Sequence, residues 1–139
     1  MKKTNFFISF FMIVFFSCNV EHEKNKRFKI ITLNKLKNYV DRFNMNDNEI
    51  YKQFIPNDEA LKFLSKNIPM IDLPEKVIEE TYYFRWWTYR KHIKNTEDGF
   101  VITEFLPKVY WSKKHNTINC PAAHHIYEGR WLKDPKYIS

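Results

Sequence analysis

Two stretches concentrate the side chains that can do chemistry. Residues 82–91, YYFRWWTYRK, carry six aromatic rings and three cations in ten positions. At helical spacing such a set puts rings on more than one face, so the helix either buries several faces or lines a ligand site. Rings such as Trp86 and Trp87 suit the apolar faces of sugar rings, and an Arg such as Arg85 suits their hydroxyls. The competing reading is that these rings are core, because large aromatics dominate core energetics. The second stretch, residues 115–131, HNTINCPAAHHIYEGRW, gathers His124, His125, Glu128, Arg130 and Trp131 around a loop-to-helix transition.

Other chemistries find little support. Cys120 and His124 lie one turn apart, a spacing a metal can use, but a closed structural zinc site takes four ligands and no second pair is evident. No metal or other cofactor is expected. With two glycines in the chain there is no GxGxxG or phosphate loop. There is no GxSxG elbow, and a Cys120–His dyad lacks a supporting motif.

The elements that must position these residues are mainly helical. Leu33, Leu36, Val40 and Phe43 form one stripe of a first helix, which Asn46-Asp47-Asn48 breaks. Leu61, Leu64 and Ile68 form the face of a second helix that starts after Asn57, with Asp58 and Glu59 at its positive end. Asp72-Leu73-Pro74-Glu75 reads as a capping box, opening a helix to about Lys94 whose buried side is Ile78, Tyr82, Trp86, Tyr89 and Ile93. Asn95 to Gly99 is a turn, and Phe100–Leu106 reads as a strand ended by Pro107. Residues 107–121 form a long loop, and a last helix runs from Pro121 to about Leu132. Asp134-Pro135 then announces one more helical start.

The beginning of the chain sets the compartment. Lys2 and Lys3 precede an apolar run, Phe6–Phe16, then Ser17 and Cys18, the pattern of a secretory signal over residues 1–17. Cys18 is placed for lipidation, so the partner expected there is a membrane, and residues 18–27 read as a flexible tether. The remainder, 28–139, suits one small domain with an opening region at 28–70. The formal charge is +7, and +5 once residues 1–17 with Lys2 and Lys3 are removed. The basic residues are spread along the chain, and an exported protein has no nucleic-acid partner to meet.

Within residues 71–139 the sequence resembles a known family. YYFRWWTYRKH, FVITEFLP and HHIYEGRWLKDPKY are similar to stretches of exported glycoside hydrolases from Bacteroidetes-type bacteria. These belong to the six-hairpin (α/α)₆ toroid superfamily, near the mannosylglycerate-hydrolase-like group. The resemblance implies a carbohydrate substrate and cleavage by inversion, with two carboxyl groups about 6.5–9.5 Å apart. Glu128, the one carboxylate in the second stretch, becomes the candidate acid or substrate contact, and a salt bridge to Arg130 or Arg85 is its alternative role. Arg85, Trp86 and Trp87 become the sugar platform, with His124, His125, Arg130 and Trp131 as further substrate contacts. A toroid of twelve ordinary helices needs several hundred residues. The expectation is therefore the opening portion of such a toroid: a mainly α fragment with a short β segment near 100–106, inactive by itself. A small surface lipoprotein that binds carbohydrate or a partner protein without catalysis is the alternative.

Overall fold

The structure, a computed structural model, describes residues 31–138. The leader at 1–17, Cys18 and the tether at 18–27 lie outside the described residues. The fold is mainly α: α1 (Leu33–Met45), α2 (Ala60–Asn67), α3 (Lys76–Lys91) and α4 (Ala122–Gly129). One antiparallel hairpin, β1 (Ile93–Thr96) and β2 (Gly99–Ile102), follows α3 directly. Short 3₁₀ turns occupy Asn57–Glu59, Lys114–Asn116 and Pro135–Tyr137.

Helices α1, α2 and α3 pack on one another around a core of Leu36, Val40, Phe43, Phe63, Leu64 and Ile68 with the aromatics of α3. The first helix keeps its expected stripe except for Leu33, which is 49% exposed at the first turn. On α2, Leu64 and Ile68 are buried as the spacing requires, joined by Ala60 and Phe63.

Helix α3 differs from the sequence expectation at both ends. It starts at Lys76 because the Asp72 carboxylate is taken up by Lys35 and Lys76 instead of capping. Glu75 occupies the cap and accepts, at 3.5 Å, from the Val77 amide. The helix ends at Lys91 because Ile93–Thr96 pairs with Gly99–Ile102, Ile93 facing Ile102 and Thr96 facing Gly99. Gly99 closes the turn with φ 103°, a left-handed conformation that costs glycine little. The strand expected over 100–106 thus stops at Ile102, where Thr103 donates its amide to the His92 carbonyl at 2.9 Å. The last helix is also shorter than expected and ends at Gly129.

The expected buried side holds at Trp86, Tyr89 and Ile93 but shifts toward the start of α3: Ile78 is 59% exposed and Tyr82 half-buried, whereas Glu79, Tyr83 and Arg90 have no exposed surface. The cause is polar. Glu79 accepts from Lys35 Nζ at 2.8 Å, the Tyr39 hydroxyl at 2.9 Å and the Leu73 amide at 2.6 Å. Burial opposes ionisation of Glu79, yet these donors outweigh it and hold its carboxyl at about 2. Because that value lies below the ordinary 4.5, the stabilisation is complete above pH 4.5 and is lost as pH falls from there toward 2. Glu79→Ala removes the carboxylate shared by Lys35, Lys76, the Tyr39 hydroxyl and the Leu73 amide and is expected to cost about 3 kcal/mol, read as a lowered urea midpoint at pH 7. The same comparison near pH 3 should show a much smaller difference between the two proteins.

Candidate functional site

The C-terminal half of α3 meets the hairpin and α4 to form a cleft of about 240 Å³ lined by Arg85, Tyr89, His92, Thr103, Glu104 and His125. Residues at i and i+4 share a helix face, which puts Arg85 and Tyr89 together on the side of α3 that looks toward α4. Tyr89 is buried, donates its hydroxyl to the His125 carbonyl at 2.8 Å, and so fixes the start of α4 against α3. Burial raises its phenol well above the usual range, which keeps it a neutral donor.

Close packing holds the other end of α4. At Gly129 a β-carbon would collide with Ile138 Cγ2 and with the Tyr89 hydroxyl, so only glycine lets the helix sit this near α3. With α4 so placed, Glu128 reaches the Arg85 guanidinium and pairs with it. This is the ion-pair role that the sequence left open for Glu128, and Arg85, half exposed, is its partner rather than Arg130.

Glu104 lines the cleft with a carboxylate. One oxygen accepts from the Ile118 amide at 3.0 Å, and the other lies 3.2 Å from His125 Nε2. That approach lacks hydrogen-bond geometry, so the buried Nε2 has no hydrogen-bonding partner among the described residues. His92 places Nδ1 2.7 Å from the Thr103 carbonyl. A carbonyl only accepts, so Nδ1 carries the proton and Nε2 is left as an acceptor. Burial lowers the His92 pKa, with the Arg85 charge adding to it. The cleft lining therefore combines a carboxylate, a guanidinium and two imidazoles, with Glu128 paired to the guanidinium, a set suited to holding hydroxyl groups.

The structure distributes the sequence candidates unevenly. Arg85 and His125 line this cleft, and Glu128 is paired with Arg85. Trp86 and Trp87 do not form an open sugar platform, because each is only 4% exposed. Trp87 donates its indole N–H to Asn44 at 2.8 Å and stacks on Phe84, and Trp86 packs edge-on to Tyr89. His124 is exposed to solvent. Arg130 and Trp131 are exposed on the same surface as Tyr127, with the Arg130 guanidinium 4.8 Å from the Tyr127 ring centre and 5.3 Å from that of Trp131. Cys120 is a free, exposed thiol. His92 and Glu104 were not singled out in the sequence, although both lie inside the segments YYFRWWTYRKH and FVITEFLP that carry the family resemblance. The signal that finds Glu104 is its position just beyond β2, where a strand's end faces the helix that precedes the hairpin.

No family model and no curated protein matches the chain. Among solved structures it is similar to one named as a sialidase, with a TM-score of 0.75 and 44% identity. The match covers 78% of this chain and 10% of that one, so the chain spans about a tenth of that protein's length. The expected likeness to a glycoside hydrolase holds at that coarse level, without reaching the narrower group.

If the Gly129 contact positions Glu128, then Gly129→Ala must push α4 from α3. Overpacking of this kind costs about 1–3 kcal/mol. The expected result is a lower melting temperature, together with loss of the nuclear Overhauser contacts between Tyr89 and α4. A variant that melts like the parent and keeps those contacts would show that the site does not depend on glycine.

Proposed function

We propose that this chain is part of an exported glycoside hydrolase and that its cleft between α3, the hairpin and α4 meets the sugar. The observation that carries the reading is the 44% identity, over most of the chain, with a part of a protein named as a sialidase. The narrower assignment, the opening portion of a six-hairpin (α/α)₆ enzyme near the mannosylglycerate-hydrolase-like group, is supported by the motifs in 81–137 and by the helical layer of α1, α2 and α3.

Within the cleft, Arg85 holds hydroxyls, while Arg130, Tyr127 and Trp131 offer an exposed aromatic surface beside it. Inverting cleavage needs one carboxyl group to donate a proton and another to activate water. Glu128 is committed to Arg85, and Glu104 to the Ile118 amide and the neighbourhood of His125. Both act as acceptors already in use, which favours binding without turnover by this chain alone.

The test is a titration of the full chain with mixed neutral oligosaccharides, followed by tryptophan fluorescence and by a reducing-sugar assay. Saturable binding, weakened about tenfold or more by Arg85→Ala through loss of a charge-assisted hydrogen bond, is expected with no sugar released. Release of reducing ends that Glu128→Gln abolishes would overturn the non-catalytic half of the reading. Absence of binding to any glycan would overturn the rest.

Localisation follows from residues 1–18. The chain is exported through its leader and anchored by a lipid on Cys18 in the cell envelope. Expressed in a bacterium fed radiolabelled palmitate, it should take up label and sediment with membranes. Cys18→Ser should lose the label, and an unlabelled parent would exclude the anchor.

A further inference from the structure

A second concave surface lies on the other side of the hairpin. Its cavity, about 760 Å³, is formed by the segment before the Asn57 turn, by β1 and by the loop 106–116. Lys52, Lys94, Lys108 and Lys113 line it, no Asp or Glu does, and none of these four ammonium groups has an ion pair among the described residues. Lys114 also lines it and is paired with Glu97 and Asp98, and elsewhere Lys35, Lys37, Lys62, Lys76 and Lys91 are each paired with a carboxylate. Lys94 is partly buried, and desolvation lowers its pKa with no carboxylate to compensate. A cation held in that state gains from an anion placed beside it.

The wall is built rather than loose. Asn116 donates to the carbonyls of Phe105 and Pro107 at 2.8 Å each and accepts from the Val109 amide at 3.0 Å and the Ser112 hydroxyl at 2.8 Å. His115 and Asn116 both take left-handed φ, 65° and 63°, a costly pair of conformations that these bonds hold in place. Tyr110 stands on this wall with 97% of its surface exposed, and Phe54 lines the opposite side.

We propose that this lysine cleft binds a carboxylate-bearing segment of polysaccharide, a short run of uronic acid residues. The proposal rests on the glycan reading above and gives it a substrate class. The cavity volume is that of a pocket for a ligand of a few rings. Exposed aromatics suit the apolar faces of sugars, and separate ammonium point charges suit carboxylates spaced along a chain. Glu97 and Asp98, engaged by Lys114 and His115, bound one edge. The positive field therefore does not run on as the continuous track that a nucleic-acid backbone needs.

Electrophoresis of the full chain through gels containing polygalacturonate tests this, with dextran gels as the neutral comparison. Retardation by polygalacturonate at low salt, reversed at about 0.5 M salt, is expected because exposed charges are screened there. Lys94→Gln with Lys108→Gln should weaken retardation about tenfold, the sum of two favourable ion pairs. Lys52→Gln with Lys113→Gln, both exposed, should weaken it similarly without touching the fold. Lys37→Gln with Lys62→Gln changes net charge equally and should leave it intact. Equal loss in that control, no retardation of the parent, or equal retardation by duplex DNA would each overturn the proposal. Binding of neutral oligosaccharide without retardation by polygalacturonate would sink this inference and leave the glycan reading standing. Lysine-dependent retardation without neutral-sugar binding would do the reverse.

Discussion

Helix α3 has to carry two charged groups, Glu79 and Arg90, into positions with no exposed surface, and much of the molecule is arranged to solvate them. Taking an ion out of water costs several kcal/mol unless partners replace the water. Glu79 draws its donors from α1 and from the strap before α3. Arg90 draws acceptors from the segment between α1 and α2: Gln53 at 3.0 Å, the Ile55 carbonyl at 2.6 Å, and Asn57. Burial lowers even its guanidinium to about 10, with Glu49, Asp47 and Asp58 working against that. Asn57 is itself held by the carboxylates of Glu49 and Asp47, each at 2.7 Å, so the second layer is acidic as well. These bonds specify which face of α3 turns inward, a choice that a ring-covered helix leaves open.

With that rotation set, the rest of α3 is committed. Trp86 and Trp87 go into the core, Arg90 and Lys91 lie over the Trp87 ring, and Arg85 with Tyr89 is left facing α4. The candidate site is thus the part of α3 not used to bury charge. Its residues come from a helix, the segment just past a strand, and a second helix, and these meet only because Tyr89 and Gly129 allow close approach.

The helical stripes of α1 and α2 were legible because apolar periodicity directly reports burial there, and the Asp134 cap was legible because it is local, accepting from Lys136 N at 3.2 Å. On α3 periodicity misleads: rings on every face give no contrast, and the deciding groups are a Glu and an Arg that base rates put outside. The hairpin was half visible. Asn95 to Gly99 reads as a turn, but Ile93 and Lys94 read as the end of the helix because the partner strand Gly99–Ile102 is needed to make them a strand. Glu128 was found by its neighbours in sequence. Glu104, 14 residues from Ile118 and further still from His125, joins them only through tertiary structure.

The two concave surfaces share a wall, and Thr103 is where they join. It is fully buried; its carbonyl faces His92 Nδ1 on the cleft side, while its hydroxyl donates to the Asn116 carbonyl at 2.5 Å on the loop side. Asn116 in turn organises the loop that carries Lys108, Tyr110 and Lys113. The residue next along, Glu104, enters the cleft and takes the Ile118 amide at 3.0 Å. One short segment beyond β2 therefore fixes the acid on one side and the basic loop on the other. A saccharide long enough to engage both surfaces would have to pass around the hairpin, whose two-residue turn keeps that obstacle small.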